Sequence, residues 1–524
     1  KAVALGADYR RIRLTLQEYF EKLGTDDTKW GKPFSALLGS FLTQISLGIP
    51  AIGGKDSMSG TFKDMNVPPT LVSFALDVVD VTKVISPELK TPGSLLVFVP
   101  LRRDANDLPD FADLKVKYGR IHELIVAGKI LAAHAVGEGG IAAALSKMAF
   151  GNHIGLSLQV PADRDELFRP EFGSLVLEIA GTEDPAALFA GIDYKLLGKT
   201  QAQPVIAIGG EMIDLDEALA AWEGTLEKVF PTRVAFPQEE PATVLCTQRN
   251  AAKPKVRVAK PVVFIPIFPG TNCEYDTARR FEKAGGRVET LVFKNLSPAA
   301  VEASVAAIVN KINNAQIVMI PGGFSAGDEP EGSGKFIATV FRNPAIKDAI
   351  MKFLKERDGL MLGICNGFQA LIKLGLVPYG EIRDIDPASP TLTFNTIGRH
   401  VSCMVRTKVV STLSPWLAKV EPGEIHWIPV SHGEGRFVAD EQVLHELARN
   451  GQIATAYVDL DGNPTYDIRY NPNGSMWAIE GITSPDGRVF GKMGHSERIG
   501  RNVAKNIPGH KNQRIFEAGV EYFL

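Results

Sequence analysis

The sequence has few cysteines, no excess of charge of either sign and no long hydrophobic run. Four cysteines in 524 residues are too few for a disulfide-rich secreted scaffold, and the spacings of Cys246, Cys273, Cys365 and Cys403 fit no zinc motif. A net charge of −3 gives no reason to expect nucleic acid as a partner. Without a bilayer-spanning segment or a signal peptide, we expect a cytoplasmic protein that has reduced thiols and no membrane partner.

The length predicts several domains, because single domains commonly hold about 150 residues. From Pro231 to Lys260 the chain is rich in proline, polar and basic residues and has little periodicity, which is typical of a linker. The chain begins with Lys1 rather than Met, and we expect it to be a fragment of a longer polypeptide.

The C-terminal half alternates apolar strands with helices of ten or more residues. Strands such as QIVMI (316–320) and GLMLGIC (359–365) are apolar throughout, which is typical of parallel strands buried on both faces. This half is therefore predicted to be a doubly wound α/β domain. After Pro378 the pattern changes to short strands and turns, which indicates an antiparallel or mixed edge.

The N-terminal half mixes helices and strands without this regular alternation. Its pattern predicts helices over 8–23, 33–47 and 115–135, and a glycine-rich turn at AIGGKDSMSGTF (51–62). Strands are expected at LVSFALDVVDV, SLLVFVP, SLVLEIA and PVIAIGGEM. The fold class of this half is α+β.

Cys365 stands between a predicted strand and a predicted helix, flanked by Gly363 and Gly367. Glycines allow close backbone approach, and a helix N-terminus favours a thiolate. The first N–H of the helix, at Asn366, can donate to an oxyanion. This is the geometry of a nucleophile elbow, although the same pattern also fits a buried structural cysteine.

A nucleophile needs a base and a group that orients the base. His495 follows a strand-like run, and Glu497 stands two residues later. A second oxyanion donor is available at Gly323, after the strand that ends at Pro321. Taken singly, these residues also fit a surface histidine, a solvated carboxylate and an ordinary glycine turn.

PGGFSAGD, GICNGFQAL and GHSER, in that order, resemble the motifs of class I (triad) glutamine amidotransferases. FPGTNCEYDTARRFEKAGG and HGEGRF narrow the resemblance to the phosphoribosylformylglycinamidine synthases of purine biosynthesis. In the N-terminal half, AIGGKDSMSGTF and HAVGEGGIAAALSKMAFGNHIGL are similar to their synthetase portion, whose domains resemble aminoimidazole ribonucleotide synthetase. The resemblance extends over essentially the whole chain.

The resemblance implies four segments. Residues 1–92 are a truncated synthetase-like N-domain, 93–235 a synthetase-like C-domain, 236–259 a linker, and 260–524 a flavodoxin-like glutaminase domain. The implied activity is that of an ATP-dependent carbon–nitrogen ligase with glutamine as amido donor, in which ammonia passes through an internal channel to formylglycinamide ribonucleotide.

The resemblance also implies roles for single residues of the glutaminase. Cys365, His495 and Glu497 form the catalytic triad, and backbone N–H groups near Gly323 and Asn366 form the oxyanion hole. Glutamine is bound with the help of further side chains, and this reaction needs no cofactor. The substrate-binding candidates are Gln369, His432 and Arg436.

For the synthetase module the resemblance implies bound ATP or ADP and Mg²⁺. Lys55 is the nucleotide-binding candidate, and Asp80 and Glu138 are the metal-binding candidates. A glycine-rich turn with two solvated carboxylates fits these residues equally well. The upstream synthetase half, which holds the main active site, is expected to be missing.

The sequence departs from the family pattern at a few positions. Ser496 replaces the proline of the usual His-Pro-Glu, and His400 and Val401 replace a Phe-Glu pair after Arg399. Cys273 is predicted to be a buried or half-buried thiol at a strand end, with nothing beside it that indicates a base.

Two other functions stay open from the sequence. One is another cysteine hydrolase on the same scaffold, for which a histidine directly after the cysteine is expected, whereas Asn366 stands here. The other is a non-catalytic module that binds glutamine for regulation, for which a broken triad is expected.

Overall fold

The computed structural model describes residues 1–160, 164–237, 239–249, 253–327 and 333–524. It divides into two compact units, Lys1–Thr225 and Leu226–Leu524, and each unit has its own hydrophobic core. Asp328 of the PGGFSAGD motif lies outside the described residues, as do residues 238 and 250–252 of the expected linker. No helix in the described ranges is both long enough and apolar enough to cross a membrane.

The first unit contains twelve strands and five α-helices in its described part. In chain order these are β1 (Arg13–Tyr19), α1 (Asp27–Leu47), β2 (Ala51–Ser57), β3 (Thr61–Phe62), β4 (Met65–Asn66), β5 (Thr70–Leu76), β6 (Leu95–Val99), α2 (Phe111–Val126), β7 (Ile130–Ala135), α3 (Gly140–Asn152), β8 (Gly155–Leu158), β9 (Leu175–Ile179), α4 (Pro185–Leu188), β10 (Lys195–Gln201), β11 (Val205–Ile208), β12 (Glu211–Asp214) and α5 (Leu215–Glu223).

Two sheets organise this unit. A 3-stranded sheet has the order β2-β1-β5, and a 7-stranded, mainly antiparallel sheet has the order β12-β11-β8-β10-β6-β9-β7. The larger sheet carries two apolar clusters, one with α3 and one with α2. The smaller sheet has a small core, and the apolar side chains Phe34, Phe41 and Ile45 of α1 are 60%, 57% and 61% exposed.

Two predictions near the N-terminus were wrong. Residues 8–23 are not an α-helix: Tyr9–Arg11 form one turn of 3-10 helix, and Arg13–Tyr19 form β1, whose Leu14 and Leu16 alternate with polar residues at the period of a strand. The segment expected to be a glycine-rich turn is largely β2, which pairs in parallel with β1. A Cβ at Gly54 would lie 2.4 Å from the carbonyl oxygen of Leu16, so this glycine permits close strand pairing.

The predicted helix over 115–135 was also wrong in its extent. The helix α2 ends at Val126, and β7 begins at Ile130. Gly128 has a φ of +71°, the left-handed conformation that commonly terminates a helix. The apolar residues after it are those of a buried strand, which sequence periodicity alone does not separate from a helix.

The second unit contains eleven strands and eight α-helices in its described part. They are β13 (Val262–Ile267), α6 (Glu274–Lys283), β14 (Arg287–Val292), α7 (Pro298–Asn314), β15 (Ile317–Ile320), α8 (Lys335–Phe341), α9 (Pro344–Lys355), β16 (Leu360–Ile364), α10 (Asn366–Leu374), α11 (Leu376–Tyr379), β17 (Thr391–Phe394), β18 (Val401–Val409), β19 (Ile425–His432), β20 (Glu434–Val438), α12 (Glu441–Arg449), β21 (Ile453–Tyr457), β22 (Ile479–Thr483), β23 (Val489–Lys492) and α13 (Ile515–Glu521).

A 9-stranded sheet forms the centre of this unit. Its order is β14-β13-β15-β16-β23-β22-β21-β18-β19, and the first five strands are parallel to one another. That parallel order, 2-1-3-4-5, is the flavodoxin-like arrangement, and the remaining strands pair antiparallel. The prediction of a doubly wound domain with an antiparallel or mixed edge is therefore confirmed.

The expected linker, residues 236–259, packs in its described part against the rest of the second unit. The backbone N–H of Cys246 donates to Val410 O at 2.7 Å, and that of Val258 donates to Phe523 O at 2.9 Å. Val244 and Val258 pack against the large apolar core of this unit. The segment expected to be a linker is thus hydrogen-bonded and partly buried at these positions.

Candidate active site

The carboxyl ends of four parallel strands meet at one edge of the central sheet. Cys273 follows β13, Gly322 and Gly323 follow β15, Cys365 follows β16, and His495 follows β23. In open α/β sheets, ligands bind at this edge, where the strand order reverses. The fold therefore brings together residues that are far apart in the sequence.

Cys365 occupies a strained elbow. Its φ of +52° and ψ of −106° are unusual for a residue with a side chain. Its own N–H donates to Lys492 O at 2.8 Å, and this bond to β23 fixes the end of the strand. Asn366 is the first residue of α10, so its N–H has no acceptor within the helix and is available to an oxyanion.

The glycines beside the cysteine serve close packing. A Cβ at Gly367 would lie 2.0 Å from Ile320 O, and a Cβ at Gly363 would lie 2.6 Å from a methyl carbon of Leu371. The unusual backbone angles belong to Cys365 itself. Gly323, in contrast, has a φ of +152°, in the region that favours glycine.

His495 and Glu497 form a buried pair. His495 Nδ1 lies 2.6 Å from Glu497 Oε1, and the two residues are each 2% exposed. Burial by itself would lower the pKa of His495, but the charge of Glu497 and hydrogen bonds with Cys273, Cys365 and Glu497 raise it well above its usual value. Burial alone would raise the pKa of Glu497. The charge of the His495 imidazolium and its hydrogen bond have a larger effect and hold the pKa of Glu497 below its usual value.

The loop that carries this pair is anchored by a second buried network. Lys492 Nζ lies 3.1 Å from Glu480 Oε1, with both side chains fully buried, and donates to Gly494 O and Ser496 Oγ. Ser496 Oγ donates to Gln513 Oε1 at 2.6 Å. The serine that replaces the family's proline therefore holds the loop by hydrogen bonds instead of by a fixed φ.

Beside the thiol is a cavity of about 260 Å³. Its lining residues are Gly323, Phe324, Ser333, Cys365, Gln369, Phe394, His400, Ser431, His432, Gly433 and Glu434. Gln369 accepts a hydrogen bond from Asn366 Nδ2 at 3.0 Å and donates to Glu434 O, so the elbow helix is joined to β20. A cavity of this size suits one small molecule.

The predicted substrate-binding residues differ in their surroundings. Gln369 and His432 line the cavity, whereas Arg436 is not among its described lining residues. Burial lowers the pKa of His432 to about 3, so this ring is neutral and is not a cation for a carboxylate. Its Nε2 is buried and has no hydrogen-bond partner within the described ranges.

The predicted nucleotide and metal residues are exposed side chains of the first unit. Lys55 is exposed, and its Nζ donates to Asp56 O at 2.8 Å. Asp80 accepts hydrogen bonds from the N–H and hydroxyl of Thr82, and Glu138 is exposed. Among the described residues, neither carboxylate belongs to a group of three or more potential metal ligands. Because Mg²⁺ is commonly held by one or two carboxylates together with phosphate oxygens and water, Asp80 and Glu138 stay predicted ligands.

Two further residues were missed from the sequence. Cys273 was expected to be buried with no base beside it; it is buried, but its Sγ lies 3.9 Å from His495 Nδ1. His400 lines the cavity, and its Nε2 lies 3.0 Å from Ser431 Oγ. For Cys273 a signal existed, because it follows a predicted parallel strand whose end must meet those of its neighbours.

Residues 260–523 match the family model of the CobB/CobQ-like glutamine amidotransferase domain. Phosphoribosylformylglycinamidine synthase subunit PurQ of Methanococcus maripaludis is 34% identical over 281 residues, which cover 50% of this chain and 97% of the subunit. The probable chloroplastic/mitochondrial phosphoribosylformylglycinamidine synthase of Arabidopsis thaliana is 27% identical over 521 residues, covering 89% of this chain and 36% of the plant protein.

A solved structure, PurLQS from Thermotoga maritima, is 27% identical and has a TM-score of 0.37, with 51% of this chain and 100% of that chain covered. The family match falls on the unit that contains the cysteine elbow and the His495–Glu497 pair. The chain therefore belongs to the CobB/CobQ-like glutamine amidotransferase family, and its homologues include PurQ subunits and a plant single-chain phosphoribosylformylglycinamidine synthase.

Proposed function

We propose that this chain is the glutaminase-bearing part of a phosphoribosylformylglycinamidine synthase and hydrolyses glutamine at Cys365. The observation that carries the proposal is the assembled site. Cys365 lines a cavity on a strained elbow at the end of β16, beside the strand β23 that precedes His495. The Cys365 thiol helps to raise the pKa of His495, and Glu497 lies 2.6 Å from the imidazole.

In the proposed reaction the Cys365 thiolate attacks the side-chain carbonyl carbon of glutamine. The carbonyl oxygen becomes an oxyanion, which accepts hydrogen bonds from the N–H groups of Asn366 and Gly323. His495, as imidazolium, gives its proton to the departing nitrogen, and ammonia leaves as the C–N bond breaks. The product of this half-reaction is a γ-glutamyl thioester on Cys365.

Hydrolysis of the thioester completes the cycle. Neutral His495 takes a proton from water, and the resulting hydroxide attacks the thioester carbonyl. The C–S bond breaks, glutamate leaves, and Cys365 is again a thiolate beside an imidazolium. Glu497 remains ionised throughout, because it keeps the imidazole oriented and stabilises its charged form.

The cavity wall supports glutamine as the substrate. Gln369 and Glu434 are joined by a hydrogen bond from the Gln369 amide to the Glu434 backbone, and Glu434 Oε2 accepts Ser333 N–H at 2.9 Å. This carboxylate lies in the wall and offers a counter-charge for an α-amino group. The neutral ring of His432 donates from Nδ1 to Asn395 Oδ1 at 3.3 Å, so its Nε2 is left as a hydrogen-bond acceptor.

We further propose that the ammonia is used for the ATP-dependent conversion of formylglycinamide ribonucleotide to its amidine in purine biosynthesis. Support comes from the plant relative, which is named a phosphoribosylformylglycinamidine synthase and of which this chain spans 36%. The segments 1–92, 93–235, 236–259 and 260–524 remain our proposed domains. Lys55 remains our proposed nucleotide-binding residue, and Asp80 and Glu138 remain our proposed Mg²⁺ ligands.

Four free thiols are consistent with the reducing cytoplasm that we propose as the location. Another cysteine hydrolase remains the competing function. It is distinguished by its substrate, since a peptidase would cleave peptides and would not release ammonia from glutamine.

The test is covalent labelling by 6-diazo-5-oxo-norleucine, a glutamine analogue with an electrophilic carbon, together with ammonia release from glutamine. We expect a single adduct on Cys365, protection by glutamine, and loss of both adduct and ammonia release in Cys365→Ala. Cys246→Ala is the matched control, because Cys246 is half-buried, pairs with Ser411 and is not among the described residues that line the cavity. Labelling of a different cysteine, or ammonia release that survives Cys365→Ala, would refute the proposal.

A further inference from the structure

Three potential metal ligands, Cys273, His495 and Glu497, converge at Nδ1 of His495. Cys273 Sγ lies 3.9 Å from His495 Nδ1, and Glu497 Oε1 lies 2.6 Å from the same nitrogen. All three residues are buried, and their ligand atoms lie within 4.8 Å of one another. The glutaminase reaction as proposed assigns no role to Cys273.

The donor set and its spacing suit zinc. Thiolate, imidazole and carboxylate are the usual protein ligands of Zn²⁺, at about 2.3, 2.0–2.1 and 2.0–2.2 Å. In a tetrahedral shell such distances separate sulfur from nitrogen by roughly 3.5 Å, close to the 3.9 Å between Cys273 Sγ and His495 Nδ1. The carboxylate of Glu497 has to move away from the ring by less than ~1 Å to give a similar separation.

A second observation points to a cation at this place. Glu497 Oε2 is buried and has no hydrogen-bond partner among the described residues, although a buried, unpaired carboxylate oxygen is costly. A metal ion between Glu497 and Cys273 would satisfy it. Arg498 Nη2 lies 3.0 Å from Cys273 Sγ.

We propose that Cys273, His495 and Glu497 form a binding site for one thiophilic divalent cation of the Zn²⁺ class, and that its occupation inhibits the enzyme. Binding replaces the protons on Cys273 Sγ and His495 Nδ1, which pass to solvent. Three protein ligands leave the fourth tetrahedral position to water. With the metal on Nδ1, His495 no longer has its hydrogen bond to Glu497 and cannot alternate between imidazole and imidazolium. The inhibition, though not the binding, rests on the proposed glutaminase function.

Binding is tested first, without reference to activity. Cd²⁺ is titrated into the full chain carrying Cys246→Ser and Cys403→Ser, which leaves only the two buried thiols, and the thiolate-to-metal charge-transfer absorption is followed. We expect the band to persist after Cys365→Ala and to disappear after Cys273→Ser. A band that is absent from the starting protein, or that depends on Cys365 instead of Cys273, would overturn the site.

A second variant keeps the test decisive if Cys273→Ser fails to fold, as judged by circular dichroism. Glu497→Gln retains the shape of the side chain and the thiol but removes the anionic ligand. We expect the Cd²⁺ dissociation constant to rise about tenfold or more, since even indirect partners of metal ligands change affinity by that factor. An unchanged constant would show that Glu497 is not a ligand and would contradict the proposed set.

Inhibition is tested by ammonia release from glutamine with increasing Zn²⁺. Each variant is compared with its own uninhibited rate. We expect EDTA to restore activity and Cys273→Ser to raise the half-inhibitory Zn²⁺ concentration about tenfold or more, whereas Cys246→Ser leaves it unchanged. If Zn²⁺ inhibits Cys273→Ser and the unsubstituted chain at the same concentration, the inhibitory role of the proposed metal site is overturned. If no ammonia is released at all but the Cd²⁺ band depends on Cys273, the metal site stands and the proposed glutaminase function fails.

Discussion

At the scale of single residues, Gly322 is present because the catalytic imidazole needs its space. A Cβ at this position would lie 2.7 Å from His495 Cε1 and 3.1 Å from Cys273 Sγ. The backbone of Gly322 does not have a positive φ, so its conformation does not require glycine. Only the packed side chains exclude a larger residue.

Gly322→Ala is therefore expected to damage catalysis more than folding. The added methyl group displaces His495, and a displacement of about 1 Å can lower a rate about 10²-fold. Overpacking of this kind costs about 1–3 kcal/mol of stability. The rate of ammonia release and the urea unfolding curve measure the two effects.

The matched control is Gly119→Ala, because a Cβ at Gly119 would have no atom within 4 Å. Full activity of Gly322→Ala, with cooperative unfolding, would show that the imidazole tolerates the methyl group and that its position is less constrained than the distances indicate.

The ionisation of His495 leads to a prediction about pH. In Glu497→Gln the charge that raises the pKa of His495 is lost, while the burial that lowers it remains. In the proposed reaction the imidazolium protonates the departing amide nitrogen, and in the variant this imidazolium loses its proton at a lower pH. We expect the alkaline limb of the kcat profile for glutamine hydrolysis to shift to lower pH, measured with EDTA present.

The same pair contributes to stability over a defined pH range. His495 has a raised pKa, so its contribution is fully present below its unfolded value near 6.5 and is lost as pH rises through the folded value. Glu497 has a lowered pKa, so its contribution is present above 4.5 and is lost as pH falls. The melting-temperature difference between the unsubstituted chain and Glu497→Gln should be largest between these values. The exposed Glu441→Gln is the control, and a difference that does not vary with pH would contradict this account.

At the scale of elements, β22 and β23 hold the catalytic loop through a buried ion pair. Glu480 Oε1 accepts the Gly494 N–H at 2.6 Å, and Glu480 also accepts a hydrogen bond from Thr455 Oγ1. Together with Lys492, it closes the turn from which His495 projects. The side chains of Lys492 and Glu480 are fully buried, and the hydrogen bonds of this network take the place of water around their two charges.

Lys492→Met should destabilise the fold strongly, because it leaves Glu480 as a buried, unpaired charge. Removing one partner of such a pair typically costs about 3–5 kcal/mol. The double variant Lys492→Met/Glu480→Gln should recover most of this loss, since no charge is then left unpaired. Urea unfolding of the single and double variants measures the difference, and equal stability of the two would contradict the account.

At the scale of the whole molecule, the second unit includes more than its main sheet. Arg249 donates to the carbonyl oxygens of Ala418 and Val420. Val244 and Val258 cover part of the apolar core. Residues 226–259 are thus part of the folded body in their described positions, and they add to the stability of the family-matched region.

We expect the fragment 226–524 to melt at a higher temperature than the fragment 260–524. For a domain of this size about 1 kcal/mol shifts the melting temperature by roughly 2–4 °C, and the lost hydrogen bonds and apolar contacts amount to several such steps. Differential scanning calorimetry of both fragments measures the shift. Equal melting temperatures would show that the segment contributes nothing and behaves as a simple linker.

The sequence by itself determined the elbow and the alternation of strands and helices that predicts a doubly wound sheet. Cys365 between two glycines, after an all-apolar strand, is a local pattern, whereas the flavodoxin-like arrangement was implied only by the family resemblance. Helices and strands of the N-terminal half were less predictable. β1 and β2 are strands because they pair with each other, a long-range interaction that local propensity does not contain.

Only the tertiary structure decided what surrounds His495. Cys273 and Gly322 are separated from it by long stretches of chain, and they contact the imidazole because the carboxyl ends of parallel strands meet at one sheet edge. The neutral state of His432 likewise depends on its burial. Motifs specify which groups are available, whereas distances, burial and charge, which determine their chemistry, arise only when distant segments pack together.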